Sequence, residues 1–145
     1  MFFKCISDGM FASNCYIIGD NGEGVLIDCG VDSAEILDRV EKSGLRIKYI
    51  IITHAHVDHM CSLDEIRGKL GADVVVHESD APAFADPRLN VSYFTGNAKV
   101  FRDAELLVKD GDVLYAGGME LEIIHTPGHT PGGICIKTGN RIFTG

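Results

Sequence analysis

Six consecutive residues, His54 to His59, constrain this chain more than any other segment. The run reads His-Ala-His-Val-Asp-His and carries three of the six histidines of the 145-residue sequence. It follows the apolar segment 49–52 and Thr53, and a short apolar segment rich in β-branched residues predicts a buried strand. Imidazole and carboxylate groups are ligands that zinc prefers. The sequence therefore predicts a metal site where a strand of an α/β protein ends.

The composition narrows the class of protein. A chain of 145 residues that is 46% hydrophobic is large enough to form one domain with a real core. The net charge of −8 argues against a broad nucleic-acid-binding face, and no segment is apolar enough for a membrane span. The start, residues 1–8, predicts a first strand rather than a signal peptide. Five cysteines without a CxxC pair predict a reducing, cytoplasmic location.

The apolar pattern predicts strands that alternate with helices in the first half and strands alone in the second. In chain order the first half contains a hairpin of 15–19 and 24–28, a helix from Ser33 that ends at Gly44, a strand 47–53, a helix 62–70 and a strand 74–77. Residues 78–104 are irregular, with one short helix around 81–86. The second half contains strands 106–109, 112–115, 120–125, 133–137 and 141–143. This order predicts a layered α/β architecture.

A second motif, His125 to Gly133, follows the strand 120–125. Its two prolines and three glycines fix an irregular backbone that a ligand can approach closely. His129 lies in the middle of this loop, about seventy residues after the His-x-His pair, as a three-histidine zinc site requires. Zinc would bind His54, His56 and His129 and keep a fourth position for water.

The two motifs together resemble the metallo-β-lactamase fold superfamily, and most closely its glyoxalase II-like hydrolase branch. The matching segments are 53–59 and 126–132, together with 25–30, a strand that ends in an aspartate. The resemblance implies a four-layer αββα sandwich with two metals in a groove at one edge of the sheets. It covers nearly the whole chain.

The resemblance also assigns the ligands. It implies that His54, His56 and His129 bind the first metal and that Asp58 and His59 bind the second. A bridging aspartate is expected directly after 143–145 and a further histidine from a later strand. We therefore expect residues 1–145 to form a metallo-β-lactamase-like domain that lacks its C-terminal part, with a second metal site that is weak or empty. An aspartate encoded just after Gly145 would support this expectation.

By resemblance, the function is that of a metal-dependent hydrolase. Metal-bound hydroxide would attack the carbonyl of a small acyl thioester, such as an S-acylglutathione. Asp58 is the predicted catalytic residue, which orients the water and takes its proton. Asp28 is expected to hold a ligand or a loop in orientation. The predicted cofactor is one or two zinc ions, with iron or manganese also compatible with these ligands.

Two other functions fit the same motifs. One is a sulfur dioxygenase that uses a single iron at the three histidines, and the other is a catalytically inactive metal-binding fragment. β-Lactam hydrolysis is a weaker fit. The expected partner is a small molecule, with neither nucleic acid nor a membrane, and self-association through apolar surface that an incomplete domain exposes.

Other candidate residues have simpler interpretations. His77 and His125 are interpreted as structural residues at strand ends, and Cys61 as an inert buried thiol. The loop that contains Tyr93 and Phe94 fits a wall of the substrate groove and a simple surface loop equally well.

Overall fold

Two β-sheets packed face to face form the centre of the structure, a computed structural model that describes residues 1–145. The first sheet has six strands: β1 (Phe2–Ile6), β2 (Cys15–Asp20), β3 (Glu23–Ile27), β4 (Arg46–Ile51), β5 (Asp73–His77) and β6 (Leu106–Val108). They lie side by side in chain order. β1, β2 and β3 pair antiparallel, and β3 to β6 pair parallel. The predicted hairpin is therefore confirmed.

The second sheet is antiparallel. Its strands are β7 (Val113–Ala116), β8 (Met119–His125), β9 (Ile134–Thr138) and β10 (Arg141–Phe143), and they lie in the order β10, β9, β8, β7. Neighbours in this sheet are also neighbours in the chain: short turns at 117–118 and 139–140 connect β7 to β8 and β9 to β10, whereas the longer loop 126–133 connects β8 to β9.

Three helices lie on one side of the first sheet or at its edge: α1 (Ser33–Ser43), α2 (Val57–Met60) and α3 (Leu63–Leu70). The side chain of Asp32 caps α1 by accepting hydrogen bonds from the N–H groups of Ala34 and Glu35. Gly44 ends α1 in the left-handed conformation, φ 67°, as predicted. The irregular segment 78–104 contains two short 3₁₀ helices, Ala81–Ala85 and Ser92–Thr95.

The central strands β3, β4 and β5 contain the continuous apolar runs 25–27, 49–51 and 74–76, as expected where both faces of a sheet are covered. Neighbouring residues of one strand point into different cores. Ile50 belongs to a cluster of 22 buried residues between the sheet and the helices, whereas Ile51 belongs to a cluster of 13 between the two sheets. The continuous apolar run before the histidine motif is therefore a doubly buried strand.

The predicted mixed α/β fold is confirmed, as one helical layer and two sheets. No helix covers the outer face of the second sheet, where Val113, Tyr115 and Ile142 are exposed. Self-association through such surface stays a prediction, as does the incomplete domain. None of the helices has the length and apolar character needed to cross a membrane.

Candidate metal centre

Two loops from different sheets meet at one edge of the sandwich. His54 and His56 follow β4 of the first sheet, and His129 lies in the loop between β8 and β9 of the second sheet. The Ile134 N–H donates a hydrogen bond of 2.8 Å to the carbonyl oxygen of Thr53, which joins the bases of the two loops. Segments about seventy residues apart in the chain are thereby fixed side by side.

The three histidines of these loops form a compact cluster. The ligand atoms of His54, His56 and His129 all lie within 4.8 Å of one another. His54 is buried, His56 is half-buried and His129 is exposed, so the cluster is open on one side. Burial, together with the neighbouring histidines His59, His56 and His129, lowers the pKa of His54 to about 4. Its imidazole is therefore neutral at pH 7, the form that binds a metal, and the donor set fits zinc.

His59 lies beside this cluster, between two carboxylates. Its ring centre is 4.1 Å from that of His54. Its Nδ1 lies 2.8 Å from an oxygen of Asp28, and its Nε2 lies 3.3 Å from an oxygen of Asp58. Burial alone would lower the pKa of His59, but the two carboxylates outweigh burial and raise the pKa to about 9. In the metal-free chain His59 is therefore a cation that bridges two aspartates.

Asp28 is the fully buried partner of His59. Its carboxylate accepts hydrogen bonds from the Thr53 N–H at 2.8 Å and the Thr53 hydroxyl at 2.7 Å. Burial raises the pKa of Asp28, whereas the bonds from His59 and Thr53 act in the opposite direction. Its backbone has a positive φ of 59°, which is uncommon outside glycine but tolerated by aspartate. Asp28 thus fixes Thr53, which precedes His54, in agreement with the orienting role expected for it.

Asp58 is held through its main chain. The Ser13 hydroxyl donates a hydrogen bond of 2.6 Å to the Asp58 carbonyl oxygen. Burial raises the pKa of the Asp58 carboxyl, but the hydrogen bond and charge of His59 outweigh burial and lower the pKa, so the group is ionised at neutral pH. The helix predicted from residue 62 is preceded by a short helix that was not predicted. This helix, α2, begins at Val57 with His56 as its N-cap, so Asp58 lies in its first turn.

All five predicted ligands lie together at this edge. His54, His56 and His129 form the cluster, while Asp58 and His59 contact each other next to it. Their roles as ligands stay a prediction. His77 and His125 lie outside the cluster as a stacked pair with ring centres 3.9 Å apart. His125 Nε2 donates to the Pro131 carbonyl oxygen at 2.9 Å, which fits a structural role.

Sequence reasoning missed two buried residues that support the site. Asp80 is 3% exposed and hydrogen-bonds both ligand loops. Asn90 is fully buried, and its carbonyl oxygen accepts the Val57 N–H at 2.9 Å. Asp80 had a usable signal, because it is an acidic residue just after β5, at the carboxyl edge where sites are built. Asn90 lies in an irregular segment and had none.

A cleft of about 270 Å³ opens beside His56 and His129. Arg88 and Leu89 line it, and the Arg88 guanidinium lies 4.3 Å from the centre of the Tyr93 ring. Tyr93 and Phe94, for which the sequence left a groove wall and a surface loop open, are not among the lining residues, and Tyr93 is 50% exposed. Phe94 projects into solvent and is 71% exposed.

Comparison with known proteins decides the family. The sequence matches the profile of the metallo-beta-lactamase superfamily over residues 8–144. The chain belongs to this superfamily. The resemblance to the superfamily drawn from the two histidine motifs is thereby confirmed, and the glyoxalase II-like branch stays a prediction.

Three relatives illustrate the range of the superfamily. The chain is 30% identical to the probable metallo-hydrolase YqgX of Bacillus subtilis (strain 168), over 94% of the chain and 66% of that protein. It is 29% identical to the hydroxyacylglutathione hydrolase GloC of Haemophilus influenzae, over 86% of the chain and 60% of that protein. The crystal structure of the B3 metallo-beta-lactamase BLEG-1 superposes with a TM-score of 0.87 and 30% identity, over 94% of the chain and 67% of that structure. The chain thus spans 60% to 67% of the length of these relatives.

The shifted pKa values of His54 and His59 predict how pH changes the free energy of unfolding of the metal-free chain. In the folded chain the pKa of His59 is about 9, above the ordinary 6.5. The stabilisation that His59 contributes is therefore fully present below pH 6.5 and is lost as pH rises through 9. Since the folded pKa of His54 is about 4, its contribution is complete above pH 6.5 and is lost as pH falls through 4. We expect the joint contribution to be largest near pH 6.5.

Denaturant unfolding of the metal-free chain from pH 4 to pH 9 measures this dependence. Subtracting the curve of His59→Gln isolates one group from the others that titrate. The difference in free energy of unfolding should shrink steadily above pH 6.5. A difference that stays constant from pH 6.5 to pH 9 would show that the carboxylates do not hold the proton on His59.

Proposed function

We propose that this chain is the metal-binding part of a hydrolase that cleaves small acyl thioesters. The observation that carries the proposal is the convergence of three imidazoles within 4.8 Å at the mouth of a cleft, with an ionised aspartate beside them. Membership of a superfamily that includes metallo-hydrolases supports the hydrolase class.

His54, His56 and His129 would hold the metal, and neutral imidazoles favour zinc over harder ions. When bound, zinc supplies a water of lowered pKa and polarises the substrate carbonyl. Iron and manganese remain compatible with the same ligands. Asp58 and His59 are proposed as ligands of a second, weaker site.

Asp58 is the proposed general base. Its lowered pKa keeps the carboxylate ionised, so it can accept the proton of an attacking water. The His59 ring fixes the orientation of this carboxylate from one side, and Asp28 in turn fixes His59. A chain of three groups, Asp28–His59–Asp58, thus positions the base relative to the cluster.

The substrate class rests on the cleft and on one relative. GloC is named a hydroxyacylglutathione hydrolase, and its match covers 86% of this chain. The cleft carries a cationic group, Arg88, which suits a thioester with a carboxylate in its acyl or thiol part. We place the reaction in the cytoplasm, where the five free cysteines suit a reducing environment.

Release of thiol from an S-acylglutathione by the zinc-loaded chain tests this function. We expect turnover that chelation abolishes, and Asp58→Asn should reduce kcat about a hundredfold because the amide cannot accept the proton. Asp38→Asn, on the exposed face of α1, is the control and should leave kcat unchanged.

Two results would redirect the proposal. Oxygen uptake by the iron-loaded chain with a glutathione persulfide, without thioester cleavage, would favour the sulfur dioxygenase. Tight metal binding without either activity would favour an inactive metal-binding fragment.

A further inference from the structure

Asp80 is a buried carboxylate that contacts both ligand loops and is neither one of the five proposed ligands nor the proposed general base. Its Oδ2 accepts the Ala55 N–H at 2.9 Å, between His54 and His56 in the chain. The same oxygen accepts the Thr130 hydroxyl at 2.8 Å, and Oδ1 accepts the Gly132 N–H at 2.7 Å. One side chain therefore connects the loop of the first sheet to the loop that carries His129.

We propose that Asp80 is a positioning residue that locks the two ligand loops together and thereby sets the metal affinity of the histidine cluster. The inference rests on the metal-binding part of the proposed function and is independent of the substrate.

The position of Asp80 is itself fixed. It follows β5, and its own N–H donates to the His77 carbonyl oxygen at 2.9 Å. Its carbonyl oxygen accepts the Ala83 N–H at 3.0 Å, which starts the following 3₁₀ helix. Because its main chain is hydrogen-bonded on both sides and its side chain is buried, Asp80 has a fixed position. The two loops that are bonded to Asp80 are therefore restrained by it.

The chemistry of the contact requires a carboxylate. All three partners donate, and a carboxylate offers acceptors only. An asparagine would place its NH₂ group against one of the two backbone N–H groups, of Ala55 or Gly132, and leave a buried donor without a partner. The loop is fitted closely around this group as well. A Cβ on Gly132 would lie 2.6 Å from the Asp80 main-chain nitrogen and 2.8 Å from its Cγ.

The lock explains how a three-histidine cluster is aligned before any metal binds. The only direct main-chain bond between the loops that the structure shows at this point joins Ile134 to Thr53, at their bases. Asp80 adds a second connection beside the imidazoles themselves. With two points of attachment the loops cannot pivot about the first one, which preserves the spacing of the ring nitrogens.

Asp80→Asn tests the proposal, with Co²⁺ as the probe. We expect cobalt affinity, measured by competition with a chelator, to fall about tenfold to a hundredfold. The visible spectrum of the bound cobalt should change, because the ligand geometry changes. In the metal-free protein, hydrogen exchange at the amides of Ala55 and Gly132 should become faster.

Two further variants test the size and the specificity of the loss of affinity. Thr130→Val removes only the side-chain bond, so affinity should fall by a smaller factor, about threefold. Glu105→Gln is matched in kind, since Glu105 also accepts a backbone N–H, that of Val74, and pairs with Arg67. Glu105 lies at the opposite end of β5 from Asp80. The Glu105→Gln substitution should therefore lower the melting temperature without changing the cobalt spectrum.

Unchanged affinity, spectrum and amide exchange in Asp80→Asn would overturn the proposal, and so would an equal loss of affinity in Glu105→Gln. If the unsubstituted chain bound no cobalt at all, the proposed metal function would fail. Unchanged exchange at Ala55 and Gly132 in the metal-free variant would still refute the lock separately.

Discussion

Replacing Gly30 with alanine is expected to lower the free energy of unfolding by about 3 kcal/mol or more. A Cβ at this position would lie 1.6 Å from the carbonyl oxygen of Asp58 and 2.7 Å from the hydroxyl oxygen of Ser13. The first of these is a main-chain atom at the start of a short helix, so no side-chain rotation relieves the overlap. The loop that carries Asp58 must move instead. Chemical denaturation monitored by circular dichroism measures the loss.

Gly68→Ala is the matched control. Gly68 lies inside α3, and a Cβ there meets no atom within 4 Å. Since alanine favours a helix over glycine, this substitution should stabilise the chain by about 0.5–1 kcal/mol. The prediction would be wrong if the free energy of unfolding of Gly30→Ala lay within about 0.5 kcal/mol of that of the unsubstituted chain. The loop that carries Asp58 would then move without cost, and its close contact with Gly30 would be unimportant for stability.

Replacing His129 with alanine is expected to weaken zinc binding several-hundredfold. Zinc sites in folded domains contribute about 10–16 kcal/mol in total, so one of three or four ligands accounts for roughly 3–4 kcal/mol. His129 is exposed, and its removal leaves the cores between the layers intact. The variant should therefore keep the fold and the stability of the unsubstituted metal-free chain. Competition with a chromophoric chelator gives the affinity.

His125→Ala provides the comparison, because it removes an imidazole from the same segment. His125 holds the Pro131 carbonyl oxygen and stacks on His77, outside the cluster. Its removal should weaken zinc binding less than tenfold, as expected for a residue that supports a ligand loop without binding the metal. Equal losses in the two variants would remove His129 from the ligand set.

Features with a local pattern could be predicted from the sequence. The ends of α1 were visible because Asp32 and Gly44 are typical capping residues. His54, His56, Asp58 and His59 were visible because ligands of one site recur at short spacing within a motif. His129 lies in a second motif far along the chain, and the resemblance to the superfamily joined the two motifs in one site.

Contacts between distant segments could not be predicted in the same way. The bonds of Ser13 to Asp58 and of Asp80 to Gly132 span 45 and 52 positions and leave no periodic trace in the sequence. The helix start at Val57 was also missed, since no side chain caps it and the Val57 N–H instead donates to the carbonyl oxygen of Asn90 in a distant segment. Such buried polar contacts depend on the assembled fold, which the order of strands only outlines.

The origin of the histidines in two different sheets has a mechanical consequence. Zinc held by His56 and His129 would close a loop of about seventy residues, much as a covalent crosslink does. By the entropy of loop closure, a crosslink over that length stabilises a fold by about 4 kcal/mol. The metal would then crosslink the two sheets, so that they could not separate without releasing the ion. Loss of the ion would weaken the whole sandwich as well as its chemistry.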